Sequence, residues 1–167
     1  MNVDFLTAIK LFFANYVNFR GRSTRAEYWF AMLFVLIASI VLSVLSVLGL
    51  PYISTLFSIA VFLPGLAICF RRFHDAGQSG WLVILLYVLS FVGLGIMYGP
   101  MLSSIIEYAN DPIALQQAML HYMSNHIGSI GLGALIVLAA AVWELIILVK
   151  PSAPDNKYGP NPYGEYK

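Results

Sequence analysis

The residues best suited to chemistry lie in the stretch RRFHDAGQSGW, residues 71–81, between two strongly apolar runs. A guanidinium group binds carboxylate or phosphate through paired hydrogen bonds, and histidine changes its charge near neutral pH. The stretch therefore has the residue types for an anion site or for acid–base catalysis. Side chains adjacent on a helix point about 100° apart, so His74 and Asp75 would need partners from elsewhere in the chain to act as a catalytic pair.

Arginines at five positions form the candidate site for a ligand or a lipid headgroup. Positive charge alone would anchor helix ends at a membrane surface, and this topological role is the simplest explanation. It does not require arginine rather than lysine, however, and a guanidinium site for an anion is the competing explanation. With the neighbouring histidine, the candidate ligand-binding or headgroup-binding residues are Arg20, Arg22, Arg25, Arg71, Arg72 and His74.

Carboxylates and tail residues are the predicted structural partners of this cluster. We expect Asp75 to open a tight turn, with its carboxylate accepting local backbone N–H groups, and Ser79 to cap the next helix. Because Arg71 and Arg72 point apart, one should turn inward toward a carboxylate and the other outward toward headgroups or ligand. We interpret His74 as a hydrogen-bonding linker, in preference to a proton-sensitive switch or a headgroup contact. The predicted partners are Glu27, Asp75, Ser79, Glu144, Asn156, Tyr158, Asn161 and Tyr163.

Motifs of common enzyme classes do not occur in the sequence, which has no Gly-x-Ser-x-Gly, Walker loop or His-Glu-x-x-His. The single cysteine, Cys69, excludes an intrachain disulfide and a cysteine-built zinc site. His121 and His126, with Glu107 and Asp111, could form a weak metal site, but the polarity of a loop explains them more simply. We predict no catalytic residue, no cofactor and no metal, and we favour a non-enzymatic role.

The composition is that of a membrane protein. Hydrophobic residues make up 60% of the 167 residues and charged residues only 10%, whereas soluble domains have about 45–50% and about 25%. A water-soluble domain of this size could not cover its surface with so few polar groups. The net charge of +1 gives no reason to expect nucleic acid as a partner.

Three long gaps in the charged residues predict the membrane spans. Lys, Arg, Asp and Glu are absent from 28–70, 76–106 and 112–143, and a spanning helix needs about 20 apolar residues. The first gap is long enough for two spans and is broken by GLPY at 49–52. We predict an all-α membrane protein with four transmembrane helices at about 28–49, 53–70, 80–101 and 127–149, and with an outer loop at about 102–126.

The segments flanking the spans have their own patterns. Residues 1–27 combine an arginine-rich segment with helical spacing of apolar side chains, which predicts a short amphipathic helix in the membrane interface. In the outer loop, Asp111 and Pro112 predict the start of another helix, with Leu115, Met119 and Tyr122 facing lipid. The tail, 150–167, is rich in Pro, Gly and Tyr. We expect it to dock, with its tyrosines stacked on guanidinium groups, although disorder is the simpler interpretation of such a composition.

Small residues in the spans predict sites of close helix packing. The Gly95-x-x-x-Gly99 pattern of the third span would let another helix approach. Pro64 should kink the second span, because it lacks an N–H and crowds the carbonyl of Ala60.

The orientation follows from the nine Lys and Arg residues. All nine fall before the first span, between the second and third, or after the fourth. Because cytoplasmic loops are enriched in Lys and Arg, we predict a multi-pass protein of the bacterial inner membrane with both termini in the cytoplasm.

Three segments resemble the signatures of a known family. NFRGRSTRAEYWF, LPGLAICFRRFHDAGQSGW and NKYGPNPYG are similar to those of the YhaH/YhaI-like bacterial inner-membrane proteins, the domain of unknown function 805. The resemblance implies an inner-membrane protein without an assigned biochemical activity. Phe73 stands where that family commonly has leucine, the outer loop is longer than usual, and Glu144 belongs to none of the family's motifs.

These observations lead to two functional hypotheses. The first is a binding or scaffold role, in which the arginine-rich cytoplasmic face recognises an anionic lipid, a phosphorylated ligand or a protein partner. The second is a membrane-embedded enzyme or transporter component that uses the same cluster as its anion site. The expected partners are the lipid bilayer, including anionic phospholipid, and a membrane or cytoplasmic protein, with a homo-oligomer as a further option.

The predicted topology has a direct test. A membrane-impermeant thiol reagent applied to intact cells should modify a single cysteine placed near Gln116 and should leave one placed at Gln78 unmodified, because only the first would face outward. Labelling at position 78 would contradict the topology.

Overall fold

The computed structural model of the chain describes residues 3–50 and 52–163, which form helices joined by short connections. In chain order the helices are α1 Phe5–Ala14, α2 Arg25–Val47, α3 Ile53–Asp75, α4 Trp81–Tyr98, α5 Leu102–Glu107, α6 Pro112–Asn125 and α7 Ile127–Val149, with a 3₁₀ turn at Gly99–Met101. Three parts of the predictions lie outside the described residues: 1–2 of the N-terminal segment, Pro51 of the break between the first two spans, and 164–167 of the tail.

Four helices are long and apolar enough to cross a membrane: Arg25–Val47, Ile53–Asp75, Trp81–Glu107 and Ile127–Val149. The predicted fold class, an all-α membrane protein with four such helices and a short N-terminal helix, is therefore confirmed. Many apolar side chains on these helices are exposed, such as Leu36, Ile40 and Val44 of α2. Exposure on this scale is unfavourable in water and is what a lipid-facing surface requires.

The helices extend further into the charged segments than the predicted spans. The first long helix, α2, begins at Arg25, because the Thr24 hydroxyl accepts a hydrogen bond from the Glu27 N–H at 3.2 Å and so caps the helix. Thr24 and Glu27 have the spacing of a capping box. The second long helix, α3, continues to Asp75 and ends in a Schellman motif. In this motif Gly77 has a φ of 76°, and the Gln78 N–H donates a hydrogen bond to the Phe73 carbonyl.

The chain divides into two compact units, Met1–Val83 with Ile147–Lys167, and Ile84–Ile146. In the first unit α1 packs on α2, and α2 packs on α3. Phe12 and Ala8 of α1 and Ala31 of α2 are fully buried, and the rings of Phe5 and Phe30 meet edge to face at 6.2 Å. The apolar face of α1 therefore has a protein partner.

A proline inside α3 has a specific compensation. Pro64 has no N–H to donate to the carbonyl of Ala60, one turn earlier. The hydroxyl of Tyr16, which follows α1, donates a hydrogen bond to that carbonyl. The missing helical bond is thereby replaced by a bond between two segments of the first unit, and the end of α1 is attached to the middle of α3.

In the second unit the closest helix contact lies at glycines other than the predicted pair. A β-carbon at Gly95 or Gly99 would meet nothing within 4 Å, so these two glycines make no close helix contact within the described part of the chain. A β-carbon at Gly93 would lie 2.8 Å from both the Gly133 carbonyl oxygen and the Val137 side chain. Gly93 of α4 and Gly133 of α7 therefore allow the two backbones to approach.

The outer loop holds α5 and α6. The Asp111 carboxylate caps α6 by accepting from the Ile113 and Ala114 N–H groups at 3.1 and 3.0 Å, as its sequence predicts. The expectation that Tyr122 faces lipid was wrong. Tyr122 is 6% exposed, and its hydroxyl donates to the Met97 carbonyl at 2.5 Å. That carbonyl lies in the last turn of α4, so the bond ties α6 to the end of α4.

The glycine contact can be tested within one helix. Gly93→Ala should destabilise the protein by about 1–3 kcal/mol relative to Gly95→Ala, because only the first substitution overpacks a helix interface. Both substitutions gain the same helix propensity, about 1 kcal/mol, so their difference isolates packing. Thermal unfolding of both variants in the same detergent measures it, and equal melting temperatures would contradict the assignment.

Candidate functional site

The centre of the arginine cluster is the carboxylate of Asp75, which is fully buried at the end of α3. Its Oδ2 accepts hydrogen bonds from Arg72 Nη1 and from the Ser152 hydroxyl, both at 2.6 Å, and its Oδ1 accepts from Arg22 Nε at 3.0 Å. The expectation that Asp75 accepts local backbone N–H groups was wrong, because the Schellman motif closes the turn with backbone carbonyls. The carboxylate is instead free to pair with two guanidinium groups.

Arg22 connects this centre to the tail. Its Nη1 donates to the carbonyls of Pro154 and Gly159, both at 3.1 Å. Its Nη2 donates to the carbonyls of Ala153 at 2.6 Å and Asp75 at 3.3 Å. Together with the Nε bond to the Asp75 carboxylate, these bonds use all the N–H donors of a guanidinium group. A lysine, with three donors on one nitrogen, could not reproduce them.

Arg72 binds the end of the last long helix. It is fully buried, and besides its bond to Asp75 it donates from Nε to the Leu148 carbonyl at 3.0 Å and from Nη2 to the Lys150 carbonyl. Carbonyls at the C-terminus of a helix have no N–H partner within the helix. Arg72 therefore acts as the cap of α7, and its charge is placed at the negative end of the helix dipole.

Arg71 binds the N-terminal segment instead. It is 3% exposed, and it donates from Nε to the Ser23 hydroxyl at 3.0 Å and from Nη1 to the Asn18 carbonyl at 2.5 Å. Its Nη2 lies 3.5 Å from Glu27 Oε1, and the Ser23 hydroxyl donates to the same oxygen at 2.8 Å. Arg71 and Arg72 have separate partners, as expected, but the prediction that one of them faces outward was wrong, since both are buried.

His74 is a structural link between three segments. Because a carbonyl oxygen only accepts hydrogen bonds, Nδ1 donates to the Gly21 carbonyl, at 3.1 Å. The imidazole stacks on the ring of Tyr158 with a centroid distance of 3.8 Å, and the Asn156 side chain donates to the His74 carbonyl at 3.1 Å. Gly80 lies so close to the imidazole that a β-carbon at this position would be 2.9 Å from Nε2. The ring is held on several sides.

The described part of the tail is docked against this cluster, although through a different contact from the one expected. Tyr158 stacks on His74, and not on a guanidinium group. The two Asn-x-Tyr repeats form Asx turns, in which Asn156 Oδ1 accepts the Tyr158 N–H at 2.9 Å and Asn161 Oδ1 accepts the Tyr163 N–H at 3.0 Å. Each Asn-x-Tyr repeat therefore forms a turn in the tail.

The remaining predicted residues lie around the cluster. Arg20 and Arg25 are exposed, and Arg25 lines a shallow pocket of about 420 Å³ with Trp29 and Phe30. Ser79 accepts a hydrogen bond from the Trp81 N–H at 3.4 Å, at the start of α4. Glu144 is half-buried on α7 and belongs to the second compact unit.

Two serines of the network were not predicted. Ser23 bridges Arg71 and Glu27, and Ser152 bonds the Asp75 carboxylate. The capping-box spacing of Thr24 and Glu27 could have indicated an ordered segment around Ser23, whereas no local pattern marks Ser152. Among the described residues no group of three or more His, Cys, Asp and Glu side chains could hold a metal ion.

Comparisons with known proteins identify related chains. The family model described as "Protein of unknown function (DUF805)" matches residues 16–165. The chain is 43% identical over 83 residues to inner membrane protein YhaI of Escherichia coli strain K12, covering 47% of this chain and 69% of YhaI. It is 41% identical over 86 residues to inner membrane protein YhaH of the same strain, covering 47% and 70%.

No solved structure matches the chain. The two relatives are inner membrane proteins by name, and this chain has four apolar helices long enough to cross a membrane. Together these findings support a multi-pass location in the inner membrane.

The geometry of Arg22 generates a test of tail docking. Arg22→Lys keeps the charge but loses most of the hydrogen bonds, each worth about 1.5–3 kcal/mol when one partner is charged. Amide hydrogen exchange at residues 153–159 should therefore become faster by about tenfold or more. Arg20→Lys, at an exposed position, is the matched control and should leave exchange unchanged. Equal exchange in the two variants would show that Arg22 does not hold the tail.

Proposed function

The chain belongs to the DUF805 family, and on this premise we propose that it is a non-enzymatic inner-membrane protein that binds anionic phospholipid. The binding surface is formed by Arg20 and Arg25, the exposed arginines in the segment before α2 and in its first turn. The observation that carries the proposal is the division between buried and exposed cations. Arg22, Arg71 and Arg72 hold the unit together, whereas Arg20 and Arg25 are exposed.

The orientation of this surface follows from the charge distribution. Since cytoplasmic loops are enriched in Lys and Arg, we place both termini and the connection between α3 and α4 on the cytoplasmic side. Anionic lipids give that leaflet a negative surface potential, which attracts each nearby Lys or Arg by about 1 kcal/mol. The exposed cations would thus meet phospholipid headgroups at the ends of the apolar helices.

Arg25 is the residue best placed to contact a lipid phosphate. It begins α2, and it shares its pocket with Trp29, one turn further along, and with Phe30. Trp29 is 42% exposed, and tryptophan is favoured at the headgroup level of a bilayer. A phosphate at the guanidinium of Arg25 would leave the glycerol and upper acyl chain beside these two rings, which matches the chemistry of a phospholipid.

The alternative hypothesis uses the same cluster as the anion site of an enzyme or transporter component. That function would need a guanidinium group available to substrate. Arg22 and Arg72 are buried and donate to Asp75 and to backbone carbonyls, so an anion could bind them only by breaking these contacts. The geometry therefore favours the binding role.

The proposal is tested with the full chain in phosphatidylcholine nanodiscs that contain a small fraction of phosphatidylglycerol. Native mass spectrometry should show phosphatidylglycerol retained on the protein, and Arg25→Gln should reduce this retention by about fivefold, the equivalent of about 1 kcal/mol. Lys10→Gln removes one exposed cation from α1 and is the control for net charge.

Inorganic phosphate added in excess distinguishes a lipid site from a site for free phosphate, because it should not displace a bound phospholipid. Equal retention of phosphatidylglycerol and phosphatidylcholine, or equal loss in the two variants, would overturn the proposal.

A further inference from the structure

The outer loop contains a second polar region, which the lipid-binding proposal does not use. Within the second compact unit, a pocket of about 470 Å³ opens between α5 and α6. Pockets that bind small molecules have volumes of about 300–1,000 Å³. Its lining includes the polar and aromatic side chains of Glu107, Tyr108, Gln117, His121, Tyr122 and His126.

One wall of this pocket is preorganised. The Tyr122 hydroxyl is held by the Met97 carbonyl, and its ring stacks on that of His126 with centroids 4.3 Å apart and an interplanar angle of 18°. His126 Nδ1 lies 3.2 Å from the Tyr122 carbonyl, to which it donates. The two rings are therefore fixed relative to each other before any ligand arrives, which lowers the entropic cost of binding.

The charge of the pocket favours a cation. Glu107 is its carboxylate, and the sequence from Phe73 to Val149 contains no Lys or Arg. The Tyr108 hydroxyl donates a hydrogen bond to the Glu107 carboxylate, which raises the pKa of Tyr108. Aromatic rings add a negative electrostatic face that attracts cations, most strongly organic ammonium groups.

A metal ion fits this lining less well than an ammonium ion. Transition metals need three or four ligating side chains at short distance, and the part of the chain that the structure describes has no group of three candidate ligands. A carboxylate combined with aromatic rings is the lining that recognises ammonium ligands.

We propose that the pocket between α5 and α6 binds a small organic ammonium ion. Glu107 pairs with the positive charge, and the rings of Tyr108 and Tyr122 contact the carbon substituents on nitrogen. The proposal rests on the outer loop alone and is independent of the lipid-binding role of the first unit.

The experiment uses the full chain in phosphatidylcholine nanodiscs, titrated with tetramethylammonium and with butylammonium and followed by calorimetry. Neopentanol, which is neutral and similar in shape to tetramethylammonium, is the control ligand. At least one ammonium ion should bind saturably at one site, and neopentanol should not. Glu107→Gln should weaken binding by about fivefold, as expected for a partly exposed ion pair, and Tyr108→Leu should weaken it as well.

Asp4→Asn is the matched control variant. It removes one exposed carboxylate from the N-cap of α1, where asparagine caps equally well, and it should bind ammonium as the wild type does. Lack of saturable binding by the wild type up to about 10 mM, equal binding of neopentanol, or wild-type affinity in Glu107→Gln would overturn the proposal. Binding of Zn²⁺ without binding of either ammonium ion would also overturn it.

Discussion

The first compact unit depends on the compensation of one buried negative charge. An ionised carboxylate taken out of water costs several kcal/mol unless charged and polar groups replace its hydration. Asp75 obtains them from Arg22, Arg72 and Ser152, which come from the loop before α2, from α3 and from the segment after α7. These three segments must meet at one point for the carboxylate to be satisfied, and removal of one partner from such a buried pair costs about 3–5 kcal/mol. Much of the local structure follows from this requirement.

The requirement also explains why arginine, and not lysine, occupies the buried positions. Each guanidinium group contacts a carboxylate and several carbonyls at once, in directions fixed by its plane. Arg22 reaches the tail, Arg72 caps α7, and Arg71 fixes the segment between α1 and α2. The segments that resemble the family's signatures are the ones that this network joins. The three segments that are similar to the family's signatures are thus in physical contact with one another.

The sequence predicts the large-scale structure better than the site. Hydrophobic length and the position of charged residues are local properties, so the four long helices could be predicted directly. Apart from the local pair of Arg72 with Asp75, the partners of Arg71 and Arg72 lie 44 to 78 residues away, and no local pattern indicates that both arginines turn inward. Likewise, Gly95 and Gly99 have the spacing of a packing motif, but the contact between helices lies at Gly93, because spacing alone does not say which face meets a neighbour. The Asn-x-Tyr repeat predicted order in the tail, but its role as a pair of Asx turns became clear only from the structure.

The long sequence separation within the network has a consequence for biosynthesis. Ser152 lies 77 residues after Asp75, and the tail carbonyls bound by Arg22 lie 131 to 137 residues after Arg22. At ribosomal rates of about 5–20 residues per second, Asp75 is made about 4–15 s before Ser152. Arg22, Arg72 and Asp75 are all made before this interval, so their ion pairs can form early. The bonds to Ser152 and to the tail carbonyls must be replaced by water or by other groups until those residues are made. Closure of the cluster therefore waits for residues 148–159, and a nascent chain that stalls before Leu148 would leave donors of Arg22 and Arg72 without their carbonyl partners.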